Sequence, residues 1–169
     1  MSAAPEHQTT RETSIAADAS TGGAAEFVAR FADAWARPTP ERLVALLHPD
    51  VRLYAPLTAP TVGLESARDE FRRVFGLFPD LRGEVHRWSA SAHVVFIEFT
   101  LSATLAGRPL RWHAVDRFLL AGGRGLERVS YFDSAPLALA LVMHPSAWLR
   151  WWRSGLGPLL SRRRLLKRR

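Results

Sequence analysis

One acidic side chain is a candidate for acid–base chemistry because of the apolar sequence around it. Asp116 lies within 112–120, Trp-His-Ala-Val-Asp-Arg-Phe-Leu-Leu, which has the composition of a buried β-strand. An acid in such a strand costs free energy unless it is hydrogen-bonded or protonated. A neutral acid can in turn donate to a substrate oxygen. We predict Asp116 as the catalytic residue, the alternative being an ion pair with an arginine on a neighbouring strand.

Other polar residues are predicted to orient a ligand at the same site. Arg128 and Ser130 are two residues apart in a predicted strand, so their side chains share one face. Arg128 would orient a substrate oxygen or neutralise Asp116, and Tyr54 would donate its hydroxyl group. A core tyrosine explains Tyr54 equally well.

Three further polar residues have structural explanations that we favour. Glu98 is expected on the outer face of its strand, paired with an arginine across the sheet. His113 has the opposite parity to Asp116 and should point away from it. Asp133 precedes Ser-Ala-Pro, where it would cap a helix.

Metal and thiol chemistry find no support in the residue types. The chain has no cysteine, which excludes disulfides and thiolate sites. The histidines show no metal-ligand spacing. We predict no metal and no cofactor.

The periodicity of the apolar residues predicts helices first and strands afterwards. Phe27, Phe31 and Trp35 recur at helical spacing, a second short helix ends at 48–50 (His-Pro-Asp), and a third spans 63–78. A short strand at 51–54 precedes the third helix. Four extended segments separated by glycine-rich turns follow, at 81–89, 93–105, 110–121 and 126–132. This order predicts an α+β domain in which N-terminal helices cover a curved antiparallel sheet.

Aromatic side chains would line any cavity that the predicted fold encloses. These residues are core residues first, and some of them must face the cavity. An aromatic lining implies a small apolar ligand. The predicted lining residues are Trp35, Phe75 and Trp112.

Several segments together resemble the SnoaL-like branch of the nuclear transport factor two-like superfamily. They are Phe-Ala-Asp-Ala-Trp at 31–35, His-Pro-Asp-Val at 48–51, Val-Asp-Arg-Phe at 115–118 and Glu-Arg-Val-Ser-Tyr-Phe-Asp at 127–133. The resemblance covers about 24–142. It implies a cone-shaped α+β barrel, frequently dimeric, among relatives that include polyketide cyclases, ketosteroid isomerases, epoxide hydrolases and non-catalytic binding proteins.

By this resemblance, the chain has the catalytic residue of these enzymes at one position and other residue types at the remaining positions. Asp116 falls on an acid of the epoxide-hydrolase relay and on the oxyanion-donating acid of the isomerases. Ala114 and Ser130 replace the other two members of the relay, and the isomerase base falls near Ala55. Two hypotheses follow: a cofactor-independent cyclase, isomerase or hydrolase acting on a hydrophobic oxygen-bearing compound, or a non-catalytic ligand-binding or scaffold dimer.

The positive charge of the chain belongs to its C-terminal end. The net charge is +7, but eight of the 23 basic residues and no acid lie in 150–169, which leaves 15 basic and 16 acidic residues elsewhere. This distribution argues against specific nucleic-acid binding. We divide the chain into a disordered segment 1–23, the domain 24–142 and a tryptophan-rich basic tail 143–169.

The tail and the outer face of the sheet suggest two kinds of partner. Trp148, Trp151 and Trp152 at helical spacing, followed by leucines and arginines, indicate an anionic membrane surface as a partner of 145–169. The alternative is a tryptophan face packed on the domain. We expect a homodimer through the outer sheet face, with Arg111, His113 and Arg117. The longest apolar run is nine residues, so we predict a cytoplasmic protein, peripheral at the membrane if the tail binds it.

Overall fold

A computed structural model describes residues 22–56 and 58–156 of the chain. Helix α1 spans residues 22–36 and lies on the sheet with one apolar face fully buried. Phe27 packs edge-on against Phe118 of the sheet at 4.9 Å between ring centroids, and Phe31 packs similarly against Phe99 at 5.4 Å. The helical spacing seen in the sequence therefore marks the face that covers the core.

Two more helices precede the main part of the sheet. Helix α2, Pro40–Val44, begins after Thr39, whose hydroxyl accepts a hydrogen bond from the Arg42 backbone N–H at 3.2 Å. Helix α3, Leu64–Leu77, buries Ala67, Glu70, Phe71 and Leu77. This third helix lies where the sequence predicted it.

Six strands form one sheet in the order β2-β1-β6-β5-β4-β3. Strands β3 to β6 form the predicted antiparallel meander, and β1 pairs parallel with β6 and antiparallel with β2. The prediction of an α+β domain with helices over a curled antiparallel sheet is confirmed. The strand bounds are Leu47–Tyr54 for β1, Thr61–Val62 for β2, Arg82–Ser91 for β3, Val94–Leu105 for β4, Arg108–Ala121 for β5 and Arg124–Phe132 for β6.

The prediction that 48–50 ends a helix is wrong, because these residues belong to β1. Helix α2 ends at Val44, and the strand has begun by Leu47. The pairing of β1 with β6 shifts register between Leu47 and Arg52. An irregular stretch of this kind accommodates Pro49, which has no N–H to donate to a neighbouring strand.

Two C-terminal helices extend the packed part of the chain beyond residue 142. Helix α4, Ala135–Met143, and helix α5, Pro145–Ser154, meet at His144-Pro145. Helix α5 packs on α3, so a boundary after 142 does not separate the packed domain from its tail. At the other end, 22–23 belong to α1, while 1–21 and 157–169 lie outside the described residues. Within the described part of the chain, no helix is long and apolar enough to cross a membrane.

The contact between Gly125 and the ring of Phe118 gives a test of the fold. A Cβ atom on Gly125 would lie 2.8 Å from Cδ1 of Phe118, whereas nothing lies within 4 Å of a Cβ on Gly23. We expect Gly125→Ala to lower the free energy of unfolding by about 1–3 kcal/mol through overpacking of this ring. Gly23→Ala in α1 should leave it unchanged or raise it. Urea denaturation measures both, and equal stabilities would contradict the contact.

Candidate active site

A cavity of about 380 Å³ lies between the concave face of the sheet and helices α3, α4 and α5. Its floor consists of alternate residues of three neighbouring strands, and the helices supply the other walls. Almost the whole lining is apolar. The floor residues are Phe99 and Leu101 from β4, Trp112, Ala114 and Asp116 from β5, and Arg128, Ser130 and Phe132 from β6.

The register of β5 and β6 brings the polar residues of the floor together. Asp116 lies directly opposite Ser130, and Arg128 lies opposite Phe118, two residue pairs further along the two strands. Because residues two apart share a face of the sheet, Asp116, Ser130 and Arg128 all point to the cavity side. Three residues from two separate segments thus form one polar patch in an apolar cavity.

The carboxyl group of Asp116 is buried and poorly solvated by the protein. The residue is 1% exposed, and neither carboxyl oxygen has a hydrogen-bond partner in good geometry among the residues described. Burial raises the pKa of Asp116 above its ordinary value, and the charge of Arg128 and the hydroxyl of Ser130 offset this only in part. Asp116 therefore keeps its proton to a higher pH than an ordinary aspartic acid does.

Arg128 stands beside Asp116 without forming a close ion pair. Its Nε atom is 4.0 Å from Oδ2 of Asp116, and the Arg128 side chain is only 8% exposed. The guanidinium carbon lies 5.5 Å from the centroid of the Phe71 ring, in a cation–π arrangement. The Nε–H is buried and has no partner within the described chain. The two roles considered for Arg128 are compatible, because the group that faces Asp116 also faces the cavity.

Of the three aromatic residues predicted to line the cavity, two do so and one does not. Trp35 and Trp112 line the cavity. The indole N–H of Trp112 is buried with no hydrogen-bond partner in the part of the chain that the structure describes. It is a further donor at the site. Phe75 is half-buried beside the core and does not line the cavity, because Phe71, Val74 and Phe78 occupy the helical positions that face inward.

Tyr54 also lies outside the cavity lining. Its neighbour Leu53 takes the buried side of β1, and alternation along the strand directs Tyr54 to the opposite side. The next two residues, Ala55 and Pro56, line the cavity in its place. A hydroxyl donor at position 54 is therefore not part of the polar patch.

The other three polar residues considered, Glu98, His113 and Asp133, lie in the positions predicted from the strand and helix pattern. Glu98 forms an exposed ion pair with Arg87, 3.1 Å between Oε2 and Nε. His113 lies 3.0 Å from the Thr100 hydroxyl on the face of the sheet away from the cavity. Asp133 accepts a hydrogen bond from the Ala135 backbone N–H at the start of α4. None of the three lines the cavity.

Glu70 is a cavity residue that the sequence reasoning missed. It is 8% exposed, lines the cavity from α3, and accepts a hydrogen bond from the Thr61 hydroxyl. A signal was present, because Glu70 lies three residues after Ala67 and four before Val74, on the apolar stripe of an otherwise amphipathic helix. The cavity thus contains two carboxyl groups, Asp116 and Glu70.

Helix α5 closes the cavity with tryptophan side chains. Trp148 and Trp151 line it, while Trp152 is exposed. Of the three, only Trp151 packs against the core, whereas Trp148 lines the cavity and is 50% exposed. No group of three histidine, aspartate or glutamate side chains suited to a metal ion occurs among residues 22–56 and 58–156.

Comparison with known proteins identifies the architecture. A family model described as a SnoaL-like domain matches residues 28–127. No curated protein sequence matches the chain. Among solved structures, 285 chains are similar to this chain in fold.

Three of these structures illustrate the range of relatives. A protein described as a SnoaL-like polyketide cyclase from Jannaschia sp. CCS1 is 20% identical, with 73% of this chain and 94% of that chain covered and a TM-score of 0.64. A protein with a ketosteroid isomerase-like fold from Catenulispora acidiphila DSM 44928, in complex with trimethylamine, is 19% identical, with 68% and 92% covered and a TM-score of 0.62. An epoxide hydrolase from M. tuberculosis is 20% identical, with 76% and 96% covered and a TM-score of 0.60. At these identities the similarity establishes the fold.

The raised pKa of Asp116 predicts how stability changes with pH. The folded protein binds the Asp116 proton more tightly than the unfolded chain, so stability falls as the pH rises from 3.8 through the folded pKa. The Asp116→Asn variant has no carboxyl group at this position, so its stability does not change with the titration of Asp116. The free energy of unfolding of the variant, relative to the natural protein, should therefore increase as the pH rises above 3.8.

Asp80 supplies a matched control of opposite sign. The side chain of Thr104 and then its backbone N–H, which donates to the carboxylate at 3.0 Å, lower the pKa of Asp80. The stability that Asp80 contributes is therefore lost only below its ordinary pKa of 3.8. Asp80→Asn should be less stable by a nearly constant margin over the same range. Urea unfolding at each pH measures both variants, and a flat difference for Asp116→Asn would refute the buried proton.

Proposed function

The chain belongs to the SnoaL-like domain family, and from this premise we propose that it is a cofactor-independent acid–base enzyme acting on a hydrophobic, oxygen-bearing small molecule. One observation supports this above the others: Asp116 is buried, lacks a hydrogen-bond partner among the described residues and faces an apolar cavity beside Arg128. An unsatisfied buried acid is costly for a purely structural role. Such groups are concentrated at functional sites.

The cavity defines the class of ligand. Its volume of about 380 Å³ and its aromatic walls suit a compact ring system or an apolar chain. The polar patch at the floor offers an acid at Asp116, a cation at Arg128 and the hydroxyl of Ser130. The unpaired Trp112 N–H adds a donor. A ligand with a carbonyl or phenolic oxygen at one end and an apolar body would satisfy both parts.

The chemistry follows from the protonation state of Asp116. When protonated, it donates to the ligand oxygen and stabilises negative charge that develops there, as Arg128 does through its fixed positive charge. When ionised, it removes a proton from a carbon or a hydroxyl group of the ligand. Glu70, the second carboxyl group in the cavity lining, would exchange protons with the same ligand.

A cyclase- or isomerase-type reaction is favoured over hydrolysis. Hydrolysis of an epoxide needs a carboxylate that activates water. At the positions implied by the family resemblance, Ala114 and Ser130 provide no such group, and both are part of the cavity floor. The retained acid, Asp116, is the oxyanion partner that enolisation and cyclisation require.

A non-catalytic dimer is the second candidate function. The cavity edge at Ala55 has no acid, and Arg128 compensates part of the charge of Asp116, which suits ligand binding without turnover. Phe96 and Tyr131 are exposed aromatic residues on the outer sheet face, where we propose that two copies associate. Light scattering measures the mass in solution of Phe96→Glu, which we expect to be lower than that of the natural protein. An unchanged mass would show that the two copies do not associate through this face.

The catalytic role of Asp116 predicts a loss of turnover. Native mass spectrometry of gently purified protein identifies a co-purified ligand, which guides the choice of substrate. With that substrate, Asp116→Asn should lower kcat by at least about 100-fold because the proton donor is lost. Glu98→Gln, a matched acid on the outer face, should retain full activity. Full activity of Asp116→Asn would exclude the acid–base mechanism.

Filling the cavity tests ligand binding separately from chemistry. Ala114 lies on the floor opposite Phe132, so Ala114→Phe should occupy the space of the ligand. We expect the co-purified ligand to disappear from the native mass spectrum of this variant. Val115→Phe, the next residue and on the outer face, is the control that should retain it. Ligand retained in both variants would place the binding site elsewhere.

A further inference from the structure

Helix α4 is unusual in being wholly apolar without being buried. Every residue of Ala135–Met143 is apolar, and none of them is buried. Leu139, Val142 and Met143 are 61%, 65% and 65% exposed. A soluble protein rarely exposes so many neighbouring apolar side chains unless they bind a partner or a membrane.

Helix α5 extends this apolar surface. Trp148, Leu149 and Trp152 are exposed at helical spacing, Leu149 by 62% and Trp152 by 68%. The indole N–H of Trp148 donates to the Leu141 carbonyl at 2.8 Å, which holds α5 against α4. We call the combined surface the α4–α5 face, formed by Leu139, Val142, Met143, Trp148, Leu149 and Trp152.

Positive charge accompanies the α4–α5 face without any acid. Arg150 and Arg153 are exposed on α5 among the tryptophans. No acidic residue follows Asp133, and six more basic residues occur in 162–169. An apolar face with basic residues beside it has the composition of a helix that lies in an anionic membrane interface.

The cavity opens within the same surface. Val142 and Trp148 line the cavity and are also exposed, so they form part of its rim. Whatever covers the α4–α5 face therefore also covers this side of the cavity. A covering lipid layer would bring acyl chains to the rim.

We propose that the α4–α5 face binds the surface of an anionic lipid bilayer and that the cavity takes its ligand from the bilayer. The two helices would lie in the interface plane, with Trp148 and Trp152 at headgroup depth and Arg150 and Arg153 near lipid phosphates. The binding of the face is independent of the chemistry. The membrane-dissolved class of ligand rests on the proposed function.

Charge distinguishes a bilayer from a second copy of the chain on this face. Two copies joined through α4 and α5 would bring Arg150, Arg153 and two basic C-terminal segments together with no acidic partner in 134–169. Like charges in contact oppose such an interface. An anionic bilayer neutralises the same charges, each basic residue favouring binding by about fivefold.

Vesicle sedimentation of the full-length protein tests the proposal. We expect it to sediment with phosphatidylcholine–phosphatidylglycerol vesicles and much less with phosphatidylcholine alone. Leu149→Glu with Trp152→Glu should weaken sedimentation by at least about tenfold, because two apolar anchors become acids. Arg150→Gln with Arg153→Gln should weaken it by about 25-fold, about fivefold for each charge removed. Trp88→Glu, an exposed tryptophan on the distant edge strand β3, is the matched control and should bind as the natural protein does.

Three outcomes would overturn the proposal. One is no sedimentation with anionic vesicles, and another is binding that persists in both helix variants, which would assign it to 157–169. The third is a combination of two results: the natural protein does not bind vesicles, and the double variant Leu149→Glu with Trp152→Glu has a smaller mass in solution than the natural protein. That result would make the α4–α5 face an interface between two copies of the chain. Asp116→Asn should bind vesicles normally, so loss of its turnover and loss of membrane binding are separate results.

Discussion

The antiparallel register of β4, β5 and β6 is the constraint on which the cavity depends. It sets Asp116 opposite Ser130 on one side and opposite Ile97 on the other, and it places Ala114 between Phe99 and Phe132. A shift of one residue would turn all of these side chains to the outer face. The same pairing therefore fixes the apolar core and the polar patch together.

The polar patch is held in place by its surroundings and not by bonds of its own. Asp116 lacks good hydrogen bonds in the described structure, and Arg128 is 4.0 Å away and packed over Phe71. Desolvation of this kind lowers stability, and the aromatic packing of α1 on the sheet offsets the loss. A ligand oxygen between these groups would form hydrogen bonds with them, so ligand binding would offset part of the desolvation cost of Asp116 and Arg128.

The C-terminal helices connect the cavity with the protein surface. Trp151 faces inward, Trp152 faces outward, and Trp148 does both, because it lines the cavity and is half exposed. A helix built in this way closes the cavity on one side and presents an apolar surface on the other. Under the proposed function, whatever covers the α4–α5 face would therefore also control how a ligand enters the cavity.

The sequence by itself determined the order of helices and strands, because apolar periodicity differs between the two. It also singled out Asp116 as the candidate acid, because a carboxyl group within an apolar strand is unusual, and its catalytic role stays a prediction. Tertiary structure alone decided which residues meet. Glu70 lines the cavity, whereas Tyr54 and Phe75 do not, because the direction of a side chain depends on which face of its strand or helix packs against the core. The exposure of α4 was decided there too, since nine consecutive apolar residues indicate burial, whereas the packing leaves Leu139, Val142 and Met143 exposed.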